Sequence, residues 1–333
     1  MGIKNLFKLI SKNAPNSVTN KTISSYTGKY LILDANMVIY QYVIAIRNSG
    51  SDLLNTDGKI TSHILGVMSK SLLLLKNGIV PVFVFDGKAP QMKSNVLKKR
   101  KESTKRSVEK FKNCTDEKEK LKYFKRSYVL TREQVKEAKD ILTLVGIPVI
   151  EPPSEADPMC AELVKNNLAY GVISEDMDLL TFGSSKLIRK IKSGNKKTIV
   201  EINLDEVLKG LNLKMKEFID LCILLGCDYS PTIPKIGMVR AYEIIKEFRS
   251  IDKFMENSPK VKNGYYKIPE NYNYAEARDF FLNPPVKKIT KLKLNKPKFS
   301  RFKNVMLEKY NFKQNKVNEY CNKLSKYYVT INK

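Results

Sequence analysis

The chain has 333 residues, with 60 Lys and Arg against 34 Asp and Glu, a formal net charge of +26 and 42% hydrophobic residues. That apolar content makes disorder not the default and suffices for one large α/β domain or two smaller ones, while the charge points to nucleic acid first and an anionic membrane second, unless a Lys- and Asn-rich coding bias alone explains it. Scattered cysteines at 114, 160, 222, 227 and 321 without a C-x-x-C pair tell against zinc and a disulfide framework, and the single histidine, His63, tells against mechanisms that need a histidine base with a partner.

Residues 1–87 read as helix, strand, long helix, strand. The apolar run Tyr30-Leu-Ile-Leu ends in Asp34 and the run Val80-Pro-Val-Phe-Val-Phe ends in Asp86. Between them, Ile64, Leu65, Met68, Leu72 and Leu75 recur at helical spacing and predict a helix over residues 62–77. Strand–helix–strand of this kind is a parallel unit. His63 falls near that helix's start and reads as structural.

Residues 88–132 differ in kind. They carry sixteen Lys or Arg against five Asp or Glu, a net charge of +11. Helices are predicted over 94–110 and 116–128, neither with an apolar face broad enough to bury. The segment reads as an insertion standing off a sheet, either a solvated hairpin or a functional element placed after Asp86. Lys93 and Arg100 lie seven apart, on one face if the stretch is helical, and from there can reach a phosphate.

From residue 131 the α/β rhythm resumes. A helix over 131–144 leads to a strand over 147–150 that runs into Glu151, Glu155 and Asp157. A helix opening at Ser154, expected as its N-cap, leads to the strand before Glu175, Asp176 and Asp178. Strands are predicted over 186–191 and 198–202, joined by a turn at Ser193-Gly-Asn. A helix over 215–225 reaches Asp228, and the turn Ile233-Pro-Lys-Ile-Gly237 precedes a helix over 240–248. That turn resembles the loop of a helix-hairpin-helix element, whose amides face a phosphate. Residues 251–333 are Lys-, Asn- and Tyr-rich with a helical end.

An Asp just past a strand is ordinarily an N-cap or a solvated loop residue. That reading suits any one of these acids but not the set. Short apolar runs read as strands of a parallel sheet, and ligands of such sheets sit outside the strands' carboxyl ends. Asp34, Asp86, Glu155, Asp157, Asp176, Asp178 and Asp228 would gather there and repel one another unless a cation held them. Oxygen-only donors select magnesium or manganese over zinc. Two such ions about 3.5–4 Å apart clamp an in-line phosphoryl displacement without a protein base.

The motifs Leu33-Asp-Ala-Asn-Met-Val-Ile-Tyr40, Phe83-Val-Phe-Asp-Gly-Lys88, Pro153-Ser-Glu-Ala-Asp157, Ser174-Glu-Asp-Met-Asp178-Leu-Leu-Thr-Phe-Gly183 and Leu221-Cys-Ile-Leu-Leu-Gly-Cys-Asp228-Tyr, in this order, resemble those of the flap endonucleases of the structure-specific 5′ nuclease superfamily. The resemblance covers roughly residues 1–250, with a fainter echo to the end. It implies an α/β fold with a mostly parallel central sheet flanked by helices, a helical arch insertion and a helix–two-turn–helix DNA-binding element. The implied division is 1–87, an N-terminal nuclease region; 88–132, gateway and arch; 133–250, an internal nuclease region with the helix–two-turn–helix at about 217–248; and 251–333, a C-terminal region packing on the core.

By position, the resemblance implies that the seven acids form the two-ion ligand set for Mg2+, with Mn2+ able to substitute, Asp176 among the catalytic groups. It implies that Lys93 and Arg100 engage the scissile phosphate, that Tyr40 stacks on the neighbouring nucleotide, and that Gly2 packs near the site. Residues 233–240 would grip the downstream duplex, in the family with a bound K+. Here the loop reads Lys235-Ile-Gly237-Met-Val-Arg240, not Gly-x-Gly-Pro-Lys. The lost glycine counts against the potassium and leaves Lys235 and Arg240 to bind phosphate directly. Asp157 stands where the family has Glu, one methylene shorter, and would reach an ion through water.

The function expected is Mg2+-dependent cleavage of 5′ flaps on branched DNA in replication and repair. The rivals are a 5′ exonuclease or junction-resolving member of the superfamily, a non-catalytic junction binder, and an RNA-cleaving PIN-like nuclease. Leu324, Tyr327 and Tyr328 have part of a sliding-clamp motif, but Cys321 replaces its Gln, so a helix face ending the fold is expected instead. A monomer at a nuclear or cytosolic replication site is expected, neither secreted nor in a membrane, for no span-length apolar stretch, signal peptide or myristoylation signal is visible.

Overall fold

The structure, a computed structural model, describes residues 2–191 and 198–331; the turn expected at Ser193-Gly-Asn lies outside them. Seven strands occur in chain order: β1 (Val18–Lys21), β2 (Tyr30–Asp34), β3 (Val80–Val84), β4 (Val149–Ile150), β5 (Gly171–Ile173), β6 (Lys186–Arg189) and β7 (Ile199–Asn203). The chain divides into two compact units, each assembled from three separate segments.

The first unit comprises Met1–Thr22, Gly87–Ser94 and Pro152–Lys288. Its strand order is β1-β7-β6-β5. β5 and β6 are parallel, with Val172 opposite Leu187, whereas β7 runs antiparallel to both β6 and β1. The sheet is therefore mixed, less uniformly parallel than the apolar runs suggest. β1, Val-Thr-Asn-Lys, has only half-buried and exposed residues and no apolar pattern. Its pairing with β7 makes it a strand, which no local signal announces.

The second unit comprises Ile23–Asp86, Asn95–Glu151 and Ile289–Lys333. Here β2, β3 and β4 are all parallel, with Asp34 opposite Val84 and Val84 opposite Ile150. Every residue of β3 is buried, as expected of a parallel strand covered on both faces. The helix Ser62–Lys76 closely matches its periodicity, and Arg132–Leu144 opens on a capping box between Thr131 and Gln134.

The basic insertion forms the helices Ser94–Asn113 and Glu117–Arg126, the second capped by the Asp116 carboxylate. Ser107 is the one buried residue between them, which agrees with the missing apolar face. Arg47 ties the second helix down. Its guanidinium lies 4.3 Å from the Phe124 ring centroid, donates to the Phe124 carbonyl at 2.7 Å and pairs with Asp52. At the far end, Leu324 and Tyr328 of the helix Gln314–Ile331 are buried, and the Tyr328 hydroxyl donates to the Val145 carbonyl at 2.5 Å. These side chains are core. Among the described residues no helix is long and apolar enough to cross a membrane.

Candidate active site

The acidic motifs of the first unit lie at element ends. Glu155 occupies the N-cap position of the helix Ala156–Lys165, and Asp157 lies in that helix's first turn. Ser154, expected as the cap, stays one residue outside, and its carbonyl accepts the Gly87 amide at 2.7 Å. Asp176 and Asp178 follow β5, and Asp178 opens the short helix Asp178–Thr181. Asp228 follows the helix Met215–Leu225 after Gly226, whose φ of 108° turns the chain.

Lys93 is the cation at the centre of this group. It closes the 3-10 turn Gln91–Lys93 rather than sitting on the helix that begins at Ser94. The turn runs without a break into that helix, on which Arg100 lies. Nor is Lys93 a solvated surface lysine, for it is only 9% exposed. Its ammonium donates to Glu155 Oε1 at 2.5 Å and lies 3.3 Å from Asp228 Oδ2. Burial works to lower its pKa, but Glu155, then Asp228 and Asp157, outweigh that and hold it above its ordinary value. Lys93 stays charged at any neutral pH.

Asp178 has the opposite problem. Burial, then the Asp176 and Asp228 carboxylates, push its carboxyl well above the ordinary range, with Lys93 opposing. Its Oδ1 accepts the Ile3 amide at 2.8 Å, and its own amide donates to Asp176 Oδ1 at 3.1 Å. Gly2, at φ 80°, lies against both acids. A Cβ built there would collide with Asp176 Oδ1 and Asp178 Oδ1, so only glycine lets the backbone approach this closely. The neighbouring thiols are not nucleophiles, since burial pushes Cys222 well up and Cys227 to about 12.

Sequence reasoning passed over Tyr229, quoted only as the end of a motif. It is 2% exposed, and its hydroxyl donates to Glu155 Oε2 at 2.7 Å. An apolar stretch ending Cys-Asp-Tyr gives no sign that the tyrosine turns inward.

The second unit holds Asp34 and Asp86. Asp34 ends β2 and caps the helix Ala35–Arg47, accepting the Met37 amide at 3.0 Å. Asp86 lies two residues past β3 and accepts from Asn36 Nδ2 at 2.7 Å. Parallel pairing of β2 with β3 brings both acids to the same strand ends. Tyr40 is 40% exposed and packs edge-on against Tyr128, with ring centroids 5.4 Å apart. Arg100 is exposed on the first insertion helix.

The turn before the helix Met238–Phe248 has Lys235 at φ 68°, the left-handed region that a glycine would enter without strain. Its ammonium lies 4.3 Å from the Tyr265 ring centroid, and the Arg240 guanidinium donates to the Lys235 carbonyl at 2.7 Å. Both cations thus brace the loop, and both remain exposed to solvent. Gly237 is the helix N-cap with open space where a Cβ would stand.

Among the described residues, no three His, Cys, Asp or Glu side chains stand close enough to ligate one ion in this arrangement. Lys93 and backbone amides engage the oxygens instead. The donors are nevertheless of the right chemistry for a hard divalent cation. They are carboxylates only, and the mutual repulsion felt at Asp178 is what such an ion relieves.

The sequence matches the model of the XPG N-terminal domain over residues 1–107 and that of the XPG I-region over residues 146–228. It is similar to flap endonuclease 1 of Plasmodium knowlesi (strain H), 44% identical over 347 residues, which cover 98% of this chain and 58% of the relative. The chain thus spans little more than half of that relative's length. It is 43% identical over 295 residues to flap endonuclease 1 of Leishmania braziliensis, with 86% of this chain and 74% of the relative covered. Among solved structures, the catalytic core of Rad2 in complex with a DNA substrate matches with a TM-score of 0.74 and 25% identity, over 97% of this chain and 100% of that one.

Proposed function

The chain belongs to the flap endonuclease family, and on that premise we propose that it is a structure-specific endonuclease that hydrolyses phosphodiesters where a single-stranded 5′ flap meets duplex DNA, in replication and repair. The observation that carries this reading is the group of Glu155, Asp157, Asp176, Asp178 and Asp228 about a buried lysine in one compact unit. These acids would hold magnesium or manganese, together with Asp34 and Asp86, whose part in the set rests on the resemblance. Ions of this class, when bound, lower the pKa of a water and stabilise the leaving oxygen of an in-line displacement.

The chain's own groups do the rest. Lys93 presents a permanent positive charge beside the acids, suited to a phosphate oxygen as that oxygen gains charge. Arg100 and the lysines of Ser94–Asn113 and Glu117–Arg126 form a cationic arch for the flap. Tyr40 offers an exposed ring for stacking. The amides at the start of Met238–Phe248, with nothing crowding Gly237, face a duplex phosphate while Lys235 and Arg240 hold the loop's shape.

The test is cleavage of end-labelled flap, nick, gap and four-way-junction DNA, with magnesium or with chelator, by wild type and Asp176→Ala. Magnesium-dependent cutting at the flap base is expected. Asp176→Ala should bind the flap and leave it whole. Cutting of the four-way junction alone would move the protein to the junction-resolving branch. Normal cutting by Asp176→Ala would remove that residue from the ligand set.

A further inference from the structure

We infer that Tyr229 is a positioning residue of this site. It sets the orientation of Glu155 and, through Glu155, the place of Lys93. The inference rests on the nuclease reading above, and none of the motif-based assignments includes this tyrosine.

Three anchors fix Tyr229. Its ring packs among Phe182, Phe280 and Phe281, with centroids 6.1, 4.8 and 5.2 Å away. Its carbonyl accepts from Asn273 Nδ2 at 3.2 Å. Its hydroxyl donates to Glu155 Oε2 at 2.7 Å. The helix that brings Phe280 and Phe281, Tyr274–Leu282, is itself pinned by Arg278, whose guanidinium grips Asp220 at 2.5 and 2.8 Å and Asp252 at 2.7 Å. Close packing among these rings and two hydrogen bonds at different atoms hold the residue in place.

The consequence falls on Glu155. Its two oxygens are divided between different donors, Oε1 to Lys93 and Oε2 to Tyr229. A carboxylate held at both oxygens cannot rotate, so Lys93 is held as well. The Lys93 ammonium also lies 5.4 Å from the Tyr229 ring centroid, a second contact with the same residue. A merely structural tyrosine would fill the aromatic pocket equally well as phenylalanine. Only the hydroxyl reaches the acid.

The experiment is Tyr229→Phe, which keeps the ring and removes the donor. Its melting temperature should stay close to wild type, because the aromatic packing survives. Outer-shell partners of metal ligands typically change affinity or activity about 10–100-fold when removed. The single-turnover rate on flap DNA should fall by about that factor, with flap affinity within about twofold of wild type. The second readout needs no catalysis: calorimetric titration of the DNA-free protein with Mn2+ should show weaker binding in Tyr229→Phe. In a Glu155→Gln background, the same change should leave Mn2+ binding unaltered, since the tyrosine acts through that carboxylate. A Tyr229→Phe protein with wild-type Mn2+ affinity, or equal losses with and without Glu155, would overturn the inference. Wild-type cutting of the flap separately tests the nuclease reading, so a silent wild type would count against that reading while the Mn2+ arm still decided Tyr229.

Discussion

Lys93→Met isolates the charge of the buried lysine, because methionine keeps much of the aliphatic stem beside Tyr229 and loses the ammonium. The wild-type ammonium compensates Glu155 at 2.5 Å and Asp228 at 3.3 Å, and the three side chains are only 11%, 12% and 21% exposed. Removing one partner from a buried pair costs about 3–5 kcal/mol, and the partial exposure of Asp228 argues for the lower end, about 3 kcal/mol. For a folding unit of 150–250 residues, each kcal/mol shifts the melting temperature by about 2–4 °C, so a fall of about 6–12 °C is expected without added divalent ions. Catalysis should suffer differently from binding. Loss of a preorganised charge costs about 10²–10³-fold in rate, whereas flap affinity comes from many phosphate contacts and should change little. The assays are thermal denaturation in chelator, and single-turnover cleavage alongside equilibrium binding of one flap DNA. A melting temperature within about 2 °C of wild type would mean that the pair does not hold the acids together. Equal losses of rate and affinity would reduce Lys93 to a plain binding residue.

Other consequences are as specific. Arg278→Ala strands Asp220, whose side chain is fully buried, so the variant should lose about 3–5 kcal/mol; Arg278→Lys should restore little, because one ammonium cannot reproduce the two-pronged grip. Denaturant unfolding monitored by circular dichroism decides this, and an unchanged midpoint would contradict it. His63 supplies a pH signature. Burial lowers its pKa below the ordinary 6.5, although Glu137 stands 2.9 Å away and opposes the shift. Above 6.5 the ring is neutral whether the chain is folded or not. As the pH falls below 6.5 the unfolded chain takes up the proton first, so stability declines until the lowered folded value is passed. His63→Gln should therefore lose less melting temperature between about pH 7.5 and pH 5.5 than wild type does. Identical losses would show that the ring titrates normally.

Much of this protein is legible without coordinates because its signals are local. The apolar runs of β2 and β3, the helical spacing from Ile64 to Leu75 and the capping box at Thr131 each specify an element from a few neighbouring residues. The chemistry of the acids is equally local, since carboxylates at strand ends in so basic a chain imply a cation and a polyanion. Contacts between segments distant in sequence are another matter. β1 is a strand only because β7 pairs with it, and β7 is antiparallel for reasons no periodicity reports. The sequence marks Lys93 as a candidate phosphate contact, but its burial between Glu155 and Asp228 depends on residues 62 and 135 positions away. Tyr229 meets Glu155 from 74 positions away, across an aromatic cluster assembled from three stretches of chain. Sequence alone thus determined which groups are candidates for the chemistry, because residue type and local pattern carry that information. The tertiary structure decided which of them are buried together, how their charge states are shifted, and how they are oriented and coupled, because desolvation and Coulomb energy depend on distances that only the folded chain sets.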